Sequence, residues 1–170
     1  MASGTRISPA IFAARDKLAQ GRHRLRRQHE AGSLGVQVSL QLTQLLDEVL
    51  LDLYQWALTE LYHQEGVSLV GQVALVAHGG YGRADIAPYS DVDLMLLHSG
   101  IKEKSLTPLV RKFTNAIYDA GLQLGCTVRT IPQACEAARN DATILTALAE
   151  SRLLSGEEGL FTKFMSSARA

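Results

Sequence analysis

Cysteine is scarce: Cys126 and Cys135 are the two in 170 residues. Two thiols cannot build a disulfide framework. Their spacing matches no common zinc pattern, and no nearby histidine pair supplies further ligands. Both are expected to be reduced packing residues, as free cysteine usually is, which suits a reducing cytoplasm. Long apolar runs are missing as well. No stretch approaches the roughly 20 residues of a membrane helix, and the opening MASGTRISPAIFAARDKL has no apolar core of signal-peptide length. A soluble, unexported, cytoplasmic protein without a membrane partner is expected. Net charge is absent too, with 17 basic and 17 acidic side chains, but the balance is uneven. Residues 1–30 hold seven Lys/Arg (Arg6, Arg15, Lys17, Arg22, Arg24, Arg26 and Arg27) against two acids. Such a cluster suits phosphate, RNA or an acidic surface. No aromatic residue interleaves with Arg22 to Arg27, which argues against stacking on single strands. A solvated helix face, or contact with an acidic part of the same protein, is the expectation, and nucleic acid is not an expected partner.

What is present is ordinary for a globular domain: 46% apolar and 20% charged residues, enough chain for one unstapled core. Ser8-Pro9 opens a helix that runs to about His29, Ser serving as cap and Pro as first-turn residue. A longer helix follows from Val36 to about Gln64, with Leu42, Leu45, Leu46, Val49, Leu50, Leu53, Ala57 and Leu61 at three- and four-residue steps. Val73–Ala77 reads as a buried strand, Gly79–Gly82 as a tight turn, Ile86–Ser90 as a loop and Asp91–Leu97 as a second strand. A helix over Leu106–Ala120 ends at Gly121, and CTVRT within Leu122–Ile131 marks a third strand. Helices over Gln133–Arg139, Thr143–Leu154 and Gly159–Ser167 complete the order. A basic helical segment over 1–35 thus precedes a single mixed α/β domain over 36–170.

The informative segment is VALVAHGGYGRADIAPYSDVDLMLLH, residues 73–98. Glycines directly after a strand let backbone amides approach a phosphate with no Cβ in the way. Asp91 and Asp93, two apart at a strand start, share one face and can ligate Mg²⁺ together or hold two ions. Val92, Leu94, Met95, Leu96 and Leu97 look buried, so acids entering that strand demand a cation or a basic partner. Arg83 is the nearest structural partner for them.

His78-Gly79-Gly80, ten residues, then Asp91-Val92-Asp93-Leu94 resembles the signature of the DNA polymerase β-like nucleotidyltransferases. Within that superfamily, GGYGR followed by PYSDVDLMLL resembles the bacterial PII-protein uridylyltransferases, and GLQLGCTVRT and DATILTALAESRLLSGEEGLF are similar to the same family. The resemblance covers roughly residues 70–162. It implies the nucleotidyltransferase fold, a small mixed β-sheet flanked by helices. It also implies transfer of UMP from UTP to a tyrosine hydroxyl of a PII-type nitrogen regulatory protein, with release of pyrophosphate. By position Asp91 and Asp93 would hold Mg²⁺, Gly79, Gly80 and Ser90 would cradle phosphates, and Arg83 would neutralise triphosphate charge. Arg129 would contact phosphate or pair with a structural acid.

The chain departs from the family in places. His78 stands where the superfamily usually has an apolar residue, and Ala84-Asp85 where the family often reads Gly-Glu. A third carboxylate is not evident on the later strand, which offers Arg129 instead, leaving Asp119, Asp141 and Glu150 as acids that folding would have to bring in. No His-Asp dipeptide occurs, so uridylyl removal and ligand sensing, properties of further domains in the larger family members, are expected to be absent. Two other readings keep the residues and change the role: transfer to a small-molecule or other protein acceptor, and a non-catalytic nucleotide-binding regulatory module.

Overall fold

The computed structural model describes residues 8–168, so Arg6 lies outside the described part of the chain. Its elements are α1 (Pro9–Glu30), α2 (Gly35–Glu65), β1 (Val73–Ala77), α3 (Gly79–Gly82), β2 (Val92–His98), α4 (Glu103–Asp119), β3 (Leu124–Thr130), α5 (Ile131–Asn140), α6 (Ala142–Ala149), β4 (Arg152–Gly156) and α7 (Glu158–Ala168). The four strands form one mixed sheet in the order β3-β2-β1-β4. β1 runs antiparallel to both β2 and β4, while β2 and β3 are parallel. The fold is mixed α/β, as expected.

Alternation along the two central strands sorts side chains into two cores. Val73, Leu75 and Ala77 of β1, with Val92, Leu94 and Leu96 of β2, face α1, α2 and α4. Ala74 and Val76, with Met95 and Leu97, face α5, α6 and α7. Covered on both sides, these strands carry no polar alternation, which is why β1 is buried at all five positions. α1 joins the first core through Ile11, Ala14, Leu18 and Leu25. Helix ends follow local chemistry: the Ser8 hydroxyl accepts from the Ala10 amide, Gly66 closes α2 at φ 67°, and Thr130 with Gln133 forms a capping box on α5.

Three expectations need correction. The Gly79–Gly82 segment is a single helical turn rather than a simple reverse turn, since the Gly82 amide donates to the His78 carbonyl at 3.0 Å. α4 begins at Glu103 rather than Leu106, leaving Pro108 inside it, where proline forfeits one early hydrogen bond. The helix expected over Thr143–Leu154 stops at Ala149, and Arg152–Gly156 is instead the edge strand β4. No glycine or proline interrupts ATILTALAESRLLS, so local sequence carries no break. The hydrogen bonds offered by the free edge of β1 decide the conformation.

His98 ends β2 with its Nδ1 accepting from the amides of Gly100 (3.3 Å) and Ile101 (3.1 Å). Burial lowers its pKa below the ordinary 6.5. The unfolded chain therefore binds the proton more readily. The stability contributed is complete above pH 6.5 and is lost as pH falls through the folded value. His98→Asn, which keeps an acceptor oxygen, is expected to flatten the pH dependence of unfolding free energy between about pH 5 and 7 in urea titrations. A slope equal to that of the unsubstituted chain would contradict this account.

Candidate functional site

The site is built where β1 and β2 meet at one end of the sheet. Asp93 is half-buried on β2, on the same face as Met95 and Leu97. Its two strand neighbours are His78, whose amide donates to the Asp93 carbonyl at 3.1 Å, and Gly125, its register partner on β3. Glycine makes the room. A Cβ on Gly125 would lie 2.7 Å from one Asp93 carboxylate oxygen, and one on Gly79 would lie 3.3 Å from the other. Among the described residues this carboxylate accepts no side-chain hydrogen bond and pairs with no cation. Neither ring nitrogen of the adjacent His78 makes a well-formed hydrogen bond among the described residues. Burial lowers its pKa, against the Asp93 charge and the nearby Leu94 backbone, which raise it, and with the Arg129 charge adding to the lowering. His78 is therefore held neutral beside the acid rather than acting as its counter-ion.

The glycine turn faces this acid because a polar network fixes it from behind. The Tyr81 hydroxyl, 1% exposed as a residue, donates to Asp47 Oδ1 of α2 at 2.6 Å. Arg152 of β4 donates to both Asp47 oxygens, at 2.7 and 3.0 Å, and lies over the Tyr81 ring at 5.5 Å. A fork on one carboxylate is the strong form of such a pair. Gly82 closes the arrangement, since a Cβ there would meet the Glu150 carbonyl oxygen at 2.3 Å. With the turn so held, the first-turn amides of Gly79, Gly80 and Tyr81 have no intrahelical acceptor and are available to an anion.

The other sequence-predicted residues fall as follows. Asp91 is exposed and precedes β2 instead of starting it, two residues from Asp93. Ser90 is exposed in the same loop. Arg83 pairs with neither Asp91 nor Asp93. Its guanidinium holds Asp85 at 2.9 Å and also Glu150, and these two carboxylates keep it firmly charged. Arg129 stands opposite Leu97, four residues beyond Gly125 on the same strand, and its charge reaches His78. None of the acids considered as a third carboxylate joins the pair: Asp141 caps α6, Glu150 holds Arg83, and Asp119 is exposed at the end of α4. Among the described residues no three His, Cys, Asp or Glu side chains group as metal ligands. Ala84 adopts φ 61°, a left-handed backbone that suits the glycine common at that place in the resembled family. Both cysteines are free; burial pushes the Cys126 thiol up to about 11, which keeps it protonated. No described helix is long and apolar enough to cross a membrane.

Sequence reading missed Asp47, Tyr81, Arg152 and Gly125. Asp47 reads as one polar residue among many on α2, and its partners lie 34 and 105 positions away. Gly125 carried a usable signal, because a glycine inside a strand pattern marks a close approach.

Known proteins place this geometry in context. The chain is similar to one region of bifunctional uridylyltransferase/uridylyl-removing enzymes. It is 35% identical over 164 residues to that of Aromatoleum aromaticum, covering 96% of this chain and 18% of the relative. The corresponding figures for Nitrosospira multiformis are 33% over 159 residues, 90% and 17%. For Cupriavidus metallidurans they are 43% over 105 residues, 62% and 12%. The chain thus spans under a fifth of the length of the curated relatives it matches. No family model matches it.

Removal of Asp47 tests the support of the turn. Asp47→Ala strands the Arg152 charge and the Tyr81 hydroxyl. With side chains still 23% (Asp47) and 32% (Arg152) exposed, the expected loss is about 2 kcal/mol, below the range for fully buried pairs. It should show as a lower urea midpoint at unchanged slope. An unchanged midpoint would remove the network from this account.

Proposed function

We propose that the chain is a Mg²⁺-dependent nucleotidyltransferase region that passes UMP from UTP to a tyrosine hydroxyl of a PII-type regulatory protein and releases pyrophosphate. The observation that carries the reading is the Asp93 carboxylate, given room by Gly79 and Gly125 and neutralised by no cation of the described chain. The other half-buried acids each have a donor, Asp47 and Glu150 an arginine, Glu60 the Gln64 amide and Glu157 the Gly159 amide. An acid left without a partner at a sheet end, beside unpaired backbone amides, suits a bound cation and a phosphate chain. Similarity to uridylyltransferase/uridylyl-removing enzymes supports uridylyl transfer.

Asp91 and Asp93 fit Mg²⁺, which binds through one or two carboxylates with substrate phosphates and water completing its shell. The ion supplies charge neutralisation for the attacking and leaving oxygens. The residues of the chain do the rest by position. Gly79 and Gly80 amides hold phosphate oxygens, Ser90 donates from the loop, and Arg129 adds positive charge further along the face. Arg83, kept in place by Asp85 and Glu150, offers its remaining donors to the triphosphate at the lip of the turn. Neutral His78 leaves the acid free for the metal. One observation favours a second reading: no third carboxylate joins the pair among the described residues, which suits a module that binds nucleotide without turning it over.

Calorimetric titration with Mg²⁺ and UTP, together with transfer of labelled UMP to a PII-type protein, tests both readings. Asp93→Asn is expected to lower transfer by about 100-fold or more, the order seen when a key electrostatic group is removed. Gly125→Ala, whose Cβ would press on the Asp93 carboxylate at 2.7 Å, is expected to weaken Mg·UTP binding with the fold intact by circular dichroism. Transfer undiminished in Asp93→Asn would sink the proposal. Tight Mg·UTP binding with no pyrophosphate release would establish the second reading instead.

A further inference from the structure

The basic face of α1 is not spent within the described chain. Lys17 reaches Glu48 at 2.9 Å and Asp52 at 3.3 Å, but among the described residues no carboxylate pairs with Arg22, Arg24, Arg26 or Arg27. Arg22, His23, Arg26 and His29 instead line one wall of a groove of about 440 Å³, between α1 and the Pro88-Tyr89 loop. Its floor is aliphatic, from Leu25, Val38 and Leu42. Tyr89 forms the opposite lip, held by Arg26, which donates to its hydroxyl at 2.7 Å, and by Arg22, 5.9 Å from its ring centre. Tyr89 takes φ 68°, a strained backbone for a non-glycine residue, and is 73% exposed. Its loop is anchored at the other end, where Ile86 is buried and accepts from Ser39 at 2.9 Å. Asp91 follows Tyr89 by two residues.

We infer that this groove is the docking surface for an acidic segment of the acceptor protein, a statement that rests on the reading of the chain as a transferase acting on a protein. Charge complementarity names the occupant's sign, since α1 alone carries six Lys/Arg against two acids. The aliphatic floor calls for an apolar side chain among the acids. From Arg22 to His29 the helix rises roughly 10 Å, the span of three or four residues of extended peptide. A polynucleotide finds Tyr89 and the small imidazoles of His23 and His29 but no Phe or Trp to stack on. The groove lies on the α1–α2 side, whereas Asp93 faces the α5–α7 side. The loop carrying Tyr89 and Asp91 connects the two, so a segment seated in the groove lies against the stretch of chain that leads to the site.

The test uses a fluorescein-labelled Glu-Glu-Leu-Glu-Tyr peptide and the 170-residue chain at low ionic strength, without nucleotide, read by fluorescence anisotropy. Arg22→Glu/Arg26→Glu is expected to weaken binding roughly tenfold or more. Arg24→Glu/Arg27→Glu makes the same charge change outside the groove and is expected to weaken it about twofold. Arg22→Gln/Arg26→Gln, checked by circular dichroism, gives an intermediate loss and guards against misfolding by charge reversal. Equal weakening by both reversed pairs, no binding by the unsubstituted chain, or displacement of the peptide by an oligouridylate at lower concentration than by unlabelled peptide would each overturn the inference. Failure of the transferase reading would register separately, as absence of Mg·UTP binding by the unsubstituted chain.

Discussion

The bond from Tyr81 to Asp47, locked by the fork of Arg152, is the interaction on which the site depends. It joins three elements distant in sequence, α2, α3 and β4, at the back of one helical turn of glycine-rich chain. A four-residue helix cannot stand alone, because nucleation costs more than its few hydrogen bonds return. The network supplies the missing constraint and does so from a half-buried position, where a charge-assisted fork is worth more than at the surface. Gly82 completes it, as only glycine fits against the Glu150 carbonyl. The turn is held beside Asp93 because its one large side chain, Tyr81, is fixed behind it.

Two kinds of acid coexist within this small region. Asp47, Asp85 and Glu150 are tied to arginine and serve the scaffold. Asp91 and Asp93 have no such tie among the described residues, and Asp93 sits where two glycines have cleared space around it. The partition matters more than the number of carboxylates. A buried acid matched to an arginine is satisfied, whereas one left beside a glycine turn keeps an uncompensated charge. The basic helix α1 shows the same partition with the signs exchanged: Lys17 is matched to α2, while Arg22 and Arg26 face an aliphatic groove and the loop that leads to Asp91.

Much of the architecture was written locally. Ser8-Pro9, Gly66, Gly121 and the Thr130–Gln133 box start or stop helices through hydrogen bonds made within a few residues, and the leucine spacing of α2 declares its buried face. The uninterrupted apolar strand at 73–77 and the acids entering β2 are equally local, and they single out Asp93. β4 was not legible, since RLLSG becomes a strand by pairing with β1 rather than by its own preference.

The residue order alone determined a mixed α/β chain, a glycine turn after a buried strand, and two closely spaced acids that their surroundings do not explain. These depend on periodicity, capping and the cost of polar groups near a core, all of which act over short stretches. Only the tertiary structure decided that Arg83 belongs to Asp85 and Glu150, that Gly125 gives Asp93 its space, and that Tyr81 is held by residues 34 and 71 positions away. Those outcomes depend on which strand edges and helix faces meet, and long-range meeting is settled by packing of the whole core.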